Sequence, residues 1–170
     1  RILFNLSLSK LNCVGMENTE DLQRTLLIKI IAQPGPSTQS NMIKTLKNIV
    51  FSADKQMVRA NYLNRRFLVD AVIVGLQDGT DDLRRSCLDI LQNVLSADAA
   101  AAKSINRPDL FLTVSEVALD EANAHLATPT NGMRVLSMLA ENFIFEKGTS
   151  SNDILSNLVQ LSKAHNQHQT

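Results

Sequence analysis

A short apolar segment with one asparagine inside it recurs four times along this 170-residue chain. The clearest copy, residues 86–96, reads SCLDILQNVLS, and the other copies surround Asn5, Asn48 and Asn142. The asparagines stand at positions 5, 48, 93 and 142, so the steps are 43, 45 and 49 residues. Self-similarity with a period in the forties and one apolar helix per period is typical of stacked helical repeats. This recurrence constrains the fold more than any other feature of the chain.

The segments between these copies also have a helical pattern. Apolar residues at positions 22, 26, 27, 30 and 31 fall at the spacing of one helix face. Residues 64–76 are almost wholly apolar, and residues 81–96 carry a stripe with a period near 3.6. Alternation with a period of two does not extend over any useful length. We therefore predict that the chain is all-α.

Turn-forming and polar residues separate the predicted helices. Gln33-Pro34-Gly35-Pro36 ends one helix, because proline cannot continue a helix and glycine suits a turn. The next helix is expected to be capped by one of three hydroxyl residues, Ser37, Thr38 or Ser40. The polar stretches 10–21 and 125–130 are interpreted as connections, and Pro108 is expected in the first turn of a helix over 110–119.

Composition limits the kind of partner. Hydrophobic residues make up 44 % of the chain, enough for a core, while aromatic residues are 4 % and tryptophan is absent. Lysine and arginine number 17, as do aspartate and glutamate. A formally neutral chain has no overall field to attract nucleic acid or an anionic membrane. No apolar run is long enough to span a bilayer, so we expect no membrane partner.

Cellular context is only weakly encoded. Cys13 and Cys87 are too few for a disulfide framework or a metal cluster, and they favour a reducing compartment. We therefore expect an intracellular protein, cytoplasmic or nuclear. The chain begins Arg1-Ile2-Leu3-Phe4 inside a repeat copy and without methionine, so we expect a fragment of a larger chain or multi-subunit complex.

Motifs for catalysis are missing from the sequence. It has no glycine-rich phosphate loop and no nucleophile elbow. His165 and His168 share a helix face if that segment is helical, but no cysteine or carboxylate lies near them. Asp81 and Asp82 stand where acidic residues favour a helix start. We predict no enzyme activity, no catalytic residues, no metal site and no cofactor.

Five arginines form the one charge feature that points to an alternative function. Pairs of them open two successive predicted helices, so they are candidates for a basic patch that binds nucleic acid or an acidic peptide. The competing interpretation is a solvated face whose arginines pair with nearby aspartates. The five residues are Arg59, Arg65, Arg66, Arg84 and Arg85.

Residues 67–96 resemble an armadillo repeat. In that family a buried apolar helix, here Phe67–Leu76, is followed by a short turn, here Gln77–Thr80, and by a long helix ending in Leu-x-Asn-Leu. The long helix here is Asp81–Ser96, and its ending is Leu91-Gln92-Asn93-Val94. Repeats of the HEAT type share much of this pattern.

The resemblance implies an α-solenoid, a right-handed superhelix of about three to four stacked units truncated at its N-terminus. The chain would be one domain over 1–170, with units at 1–9 (partial), 21–52, 54–96 and 97–146 and a terminal helix at 151–165. The family's short first helix would have to lie between Phe51 and Tyr62, where no clear helical pattern occurs.

The resemblance also implies where a partner binds. In the family the third helices line a groove, and their asparagines hydrogen-bond the backbone of an extended peptide. The matching residues here are Asn48, Asn93 and Asn142. Family members that import nuclear cargo carry tryptophan four residues before the asparagine, whereas this chain has Lys44, Asp89 and Met138, so capture of basic localisation peptides is not expected.

Two interpretations of the asparagines stay open at this point. They bind a partner, or each one satisfies neighbouring backbone groups and spaces the repeats. We expect a non-catalytic scaffold that binds a partner protein or peptide through its groove or its ends, with Lys44 and Asp89 beside the asparagines. The alternative is a nucleic-acid- or chromatin-associated repeat module, such as a remodeller subunit, that uses the arginine patch.

Overall fold

The computed structural model describes residues 2–17, 20–32, 35–52, 66–97, 104–105, 107–120 and 127–141. Within these ranges the chain forms eight helices and no strand, which confirms the all-α prediction. The helices are α1 (Ile2–Ser7), α2 (Lys10–Glu17), α3 (Glu20–Ile31), α4 (Pro36–Ser52), α5 (Arg66–Asp78), α6 (Asp81–Ala97), α7 (Pro108–Ala118) and α8 (Ala127–Glu141). The expected terminal helix at 151–165 and the segment between Phe51 and Tyr62, apart from Ser52, lie outside the described residues.

Local residue chemistry sets several of these helix ends. Between α5 and α6 only Gly79 and Thr80 are non-helical, and the carbonyl oxygen of Thr80 accepts the backbone N–H groups of Leu83 and Arg84 at 2.9 Å each. At the start of α4 the carbonyl of Gly35 accepts the N–H of Thr38 at 2.8 Å. Pro36 therefore occupies the first helical position, which suits its fixed φ and missing donor. The expected cap at one of the hydroxyl residues 37, 38 or 40 was wrong, because these residues lie inside the helix, which begins at Pro36.

Two predicted connections are helical instead. Residues 10–17 form α2, whose Cys13 and Met16 are buried, while its other two large apolar residues, Leu11 and Val14, are exposed. Gly15 lies inside this helix with open space around the position of a side chain. Helix α8 begins at Ala127, so most of the expected connection 125–130 belongs to its first turn, with Thr128 and Pro129 buried there. Short amphipathic turns carry too few apolar residues for their period to stand out.

Helices that follow each other in the chain pack as pairs, and the corresponding helices of successive pairs contact each other. Each of α4, α6 and α8 packs against the helix immediately before it. Helix α4 also contacts α6, and α6 contacts α8, while α3 contacts α5 and α5 contacts α7. At the beginning of the chain α1 and α2 both lie against α4. The contacts define one row of α1, α4, α6 and α8 and a second row of α3, α5 and α7.

The core lies between the two rows and is almost entirely aliphatic. Leu88, Leu91 and Val94 of α6 are fully buried, as the apolar stripe of that helix predicts. Other fully buried large side chains come from both rows and from one residue before α7: Leu27, Ile30, Ile43, Leu46, Ile49, Leu68, Leu76, Ile90 and Ile105. Burial of this aliphatic surface is the main force that holds the helices together.

Glycines allow two of the closest helix contacts. A Cβ atom on Gly75 of α5 would lie 2.5 Å from Cys87 Sγ and 2.7 Å from Ile43 Cδ1. A Cβ atom on Gly132 of α8 would lie 2.9 Å from the Cα atom of Ala118 in α7. Contacts this short leave no room for a methyl group, so the absence of a side chain sets how closely these helices approach.

Candidate partner-binding surface

Asn93 joins α6 to α4. Its side chain is half-buried, and its Nδ2 donates a 2.8 Å hydrogen bond to the carbonyl oxygen of Val50. Val50 lies in the last turn of α4, where carbonyl groups have no partner within the helix. The asparagine therefore satisfies a helix-terminal acceptor that belongs to the preceding helix of the row.

Asn48 makes the corresponding contact one step earlier. Its Nδ2 donates to Ser7 Oγ at 3.0 Å, and that hydroxyl donates to the carbonyl oxygen of Phe4 at 2.7 Å. Ser7 is two residues after Asn5, just as Val50 is two residues after Asn48. We call these two matching contacts the Asn ladder. Asn5 itself is exposed on α1, and Asn142 lies outside the described residues.

The Asn ladder uses only part of each amide. An asparagine side chain has two N–H donors and a carbonyl oxygen that accepts two hydrogen bonds. One donor of Asn48 and one of Asn93 are committed within the chain. The structural and the partner-binding interpretations of these residues are thus compatible, because the remaining amide atoms of a half-buried side chain can still meet a partner.

Ion pairs connect the same two helices. Lys44 Nζ lies 2.5 Å from Asp82 Oδ2, and Lys47 Nζ lies 2.6 Å from Asp89 Oδ2. The hydrogen bond from Lys44 lowers the pKa of the Asp82 carboxyl below its usual value, and the positive charge of Lys44 adds to this effect. Lys44 and Asp89, which were predicted to accompany the asparagines, thus both have partners across the α4–α6 contact.

A hollow opens beside the first contact of the Asn ladder. It has a volume of about 290 Å³, and we call it the ladder hollow. Its lining residues are Ser7, Leu8, Lys10, Asn48, Phe51 and Ser52. Phe51 is 56 % exposed and Leu8 is 68 % exposed, although both are large and apolar. The ammonium group of Lys47 lies 5.7 Å from the centre of the Phe51 ring, within range of a cation–π contact.

Sequence reasoning identified Asn48 but missed the rest of the ladder hollow. Leu8 and Phe51 each stand three residues after an asparagine of the repeat, and the corresponding residue of α6 is Ser96. An apolar residue at this position lies outside the buried stripe of its helix. Its spacing from the asparagine could therefore have indicated an exposed apolar side chain. Lys10 had no such signal, because the segment that contains it was interpreted as a connection.

Three of the five arginines of the predicted patch lie among the described residues. Arg66 is exposed at the first position of α5, while Arg84 and Arg85 lie in the first turns of α6. Because α6 starts where α5 ends, the whole rise of α5, about 18 Å, separates the two helix starts. Arg84 Nε donates to the carbonyl of Leu76 at 2.9 Å, and its guanidinium lies 3.7 Å from Asp120. Arg59 and Arg65 lie outside the described residues.

Arg107 forms a charged link that sequence reasoning did not identify. It precedes α7 and pairs with Asp70 of α5 and with Asp109 of its own helix. Hydrogen bonding to Asp109, supported by Asp70, raises the pKa of Arg107 above its usual value. Partial burial opposes ionisation of Asp109, but the hydrogen bond and charge of Arg107 outweigh it, so the pKa of that carboxyl is lowered.

The described ranges contain both cysteines of the chain and none of its three histidines. Both cysteines are free and buried, and burial raises the pKa of the Cys87 thiol well above its usual value. No cluster of three or more histidine, cysteine, aspartate or glutamate residues that could hold a metal ion occurs in those ranges. His125, His165 and His168 lie outside them.

No described helix combines the length and apolar character that crossing a bilayer requires.

Comparison with protein-family models, with curated proteins and with solved structures gave no match to this chain.

Proposed function

We propose that this chain is a non-catalytic scaffold built as an armadillo-like α-solenoid, and that it binds a partner protein or peptide. The observation that carries the repeat architecture is the Asn ladder. Asn93 and Asn48 stand 45 residues apart, and each donates to the residue two places after the preceding asparagine. The contacts of α4 with α6 and of α6 with α8, which are the corresponding helices of successive pairs, support the same architecture.

The ladder hollow is the proposed contact point for the partner. Large apolar side chains that remain exposed next to hydrogen-bonding groups are typical of interaction sites. Here Phe51 and Leu8 supply exposed apolar surface, while Asn48 and Lys10 supply hydrogen-bonding groups at the same hollow. An extended peptide can place an apolar side chain on Phe51 and its backbone on the half-buried amide of Asn48. By its spacing in the sequence, Asn142 is the next asparagine of this proposed set.

The cellular setting proposed is intracellular, either cytoplasmic or nuclear, within a larger chain or complex. The free thiols of Cys13 and Cys87 support a reducing compartment. The nucleic-acid alternative depends on the arginines 59, 65, 66, 84 and 85 acting together, and Arg84 is already engaged with Leu76 and Asp120. We therefore favour a protein or peptide partner.

Site-specific photo-crosslinking in cells tests this function. A photoreactive benzoylphenylalanine replaces Phe51, and the matched control places the same group at Met133 of α8, which is 51 % exposed. We expect a discrete protein adduct from position 51 that position 133 does not give and that Lys10→Glu weakens. Equal adducts from both positions would contradict the proposed site. An adduct that nuclease treatment removes would instead support the nucleic-acid alternative.

A further inference from the structure

A line of charged contacts leads from the ladder hollow onto α6. Lys10 lines the hollow together with Phe51. The ammonium group of Lys47 lies 5.7 Å from the centre of the Phe51 ring, and it also lies 2.6 Å from Asp89 Oδ2 of α6. These contacts join the end of α4 and the middle of α6 into one continuous surface.

Arg85 extends this surface toward the start of α6. It is exposed, and it stands three residues after Asp82 and four before Asp89, so the three residues share one helix face. The hydrogen bond from Lys44 of α4 lowers the pKa of the Asp82 carboxyl, and the nearby charge of Arg85 adds to that effect. We call this group of cations the basic surface, and its members are Lys10, Lys44, Lys47 and Arg85.

The carboxylates on this surface do not balance its cations. Asp82 and Asp89 are each bound to a lysine of α4, at 2.5 Å and 2.6 Å. None of the ion pairs between residues that the structure describes includes Lys10 or Arg85. Four cations thus face two carboxylates, although the chain as a whole is formally neutral. The positive surplus is therefore a local property of this face.

The repeat spacing places another exposed arginine on α8. Arg134 stands eight residues before Asn142, just as Arg85 stands eight residues before Asn93. Helices α6 and α8 are in contact, and the axes of packed helices lie about 10 Å apart. An extended chain covers this distance in about three residues. A peptide that crosses from α6 to α8 would therefore meet a second arginine.

We propose that the partner segment at the ladder hollow is an acidic extended peptide. It places an apolar side chain on Phe51 and carboxylates against the basic surface. Opposite charges on the two sides of an interface speed the encounter and set the register, whereas a basic peptide would meet like charge here. This inference rests on the proposed function and names the chemistry of the partner.

Selection of displayed peptides on the whole chain tests this chemistry. The probe is a phage library of random peptides of about 12 residues, which span roughly 40 Å when extended. One variant, Lys10→Glu with Arg85→Glu, reverses two charges of the basic surface. The matched variant, Arg24→Glu with Lys29→Glu, reverses two exposed charges on α3, which belongs to the other row.

We expect the peptides selected on the unchanged protein to carry more aspartate and glutamate than lysine and arginine, together with an apolar residue. Their affinity should fall by about tenfold with the reversed basic surface and in high salt, and by less than about twofold with the matched variant. Lys10→Gln with Arg85→Gln removes the charges without adding repulsion beside Asp82. Its loss should be about threefold, with an unchanged circular dichroism spectrum.

Selected peptides without an acidic surplus would overturn the inference, and so would an equal loss of affinity with the matched variant. A single-stranded oligonucleotide that binds as tightly as the peptides at the same salt concentration would overturn it as well, because the surface would then bind phosphate.

Phe51→Ala separates this inference from the proposed function. If the peptides lack the acidic surplus but need Phe51, the ladder hollow stands and only the chemistry of the partner is wrong. Acidic peptides that bind equally well after Phe51→Ala would contradict the ladder hollow and the inference with it. Failure to select any peptide would contradict both.

Discussion

The Nδ2 atom of Asn93 donates a 2.8 Å hydrogen bond to the carbonyl oxygen of Val50, a residue 43 positions earlier on another helix. Asn48 donates in the same sense to Ser7, 41 positions earlier. Each contact ties the end of one helix of the row to the next helix. The recurring asparagines thereby help to hold neighbouring helices of the row together.

Replacing Asn93 should destabilise the protein. Asn93→Ala leaves the Val50 carbonyl without its donor, and we expect a loss of about 1–2 kcal/mol in the free energy of unfolding. Asn93→Asp keeps the shape but places a carboxylate oxygen against a carbonyl oxygen, so its loss should be larger. Urea denaturation of the three proteins measures the order. An unchanged midpoint for both variants would show that the hydrogen bond contributes nothing net.

Gly132→Ala should also destabilise the protein, because the new methyl group would lie 2.9 Å from the Cα atom of Ala118. Overpacking of this kind costs about 1–3 kcal/mol. Gly15→Ala is a matched control, since nothing lies within 4 Å of its added methyl group and it sits inside α2. That change should stabilise the protein by about 0.5–1 kcal/mol. Thermal unfolding of both variants tests whether the two shifts have opposite signs.

Arg107 and Asp70 should be energetically coupled, because their ion pair links α7 to α5. Both side chains are 29 % exposed, so water screens the pair only partly. A double-mutant cycle with Arg107→Ala and Asp70→Ala should give a coupling of about 0.5–1 kcal/mol that shrinks in high salt. Arg66 and Asp70 stand four residues apart in α5, and a second cycle on these two residues gives a coupling energy within one helix for comparison. Coupling that salt does not reduce would argue against an electrostatic origin.

Acidification should remove part of the stability. The folded-state pKa values of Asp82 and Asp109 are lowered from the ordinary value of 3.8. The unfolded chain therefore binds more protons in this range, so the contribution is present above about pH 4 and is lost as pH falls through the folded-state values. Urea midpoints at pH 7, 5 and 3 measure the loss. Lys44→Met and Arg107→Met should each flatten this dependence, while Lys29→Met should not.

Helix identity was accessible from sequence wherever the apolar stripe was long. The pattern predicted a helix over 81–96, and α6 spans Asp81–Ala97, because burial on one face of a long helix requires that period. The pattern failed over residues 10–17, where α2 buries only Cys13 and Met16 among its described side chains. Two buried residues in a segment of eight do not establish a period, and its other large apolar residues, Leu11 and Val14, are exposed.

Site residues were accessible only in part. The recurrence singled out Asn48 and Asn93 as special, since a polar residue that returns inside apolar segments must meet a polar partner. The recurrence did not reveal which residue each asparagine contacts, and it did not predict the ladder hollow around Phe51 and Lys10. Exposure of an apolar residue depends on which neighbouring helix fails to cover it, and that is not a local property of the sequence.

By itself the sequence determined the helical class, the position of the long helices and the spacing of the asparagines, because these depend on residue periodicity within one segment. The tertiary structure alone decided that Asn93 meets Val50, that Arg84 meets Asp120, and that Leu6 is exposed where Ile49 and Val94 are buried. Each of these outcomes depends on how separate helices dock. Docking is set by the summed burial of side chains that lie tens of residues apart, which no single stretch of the chain encodes.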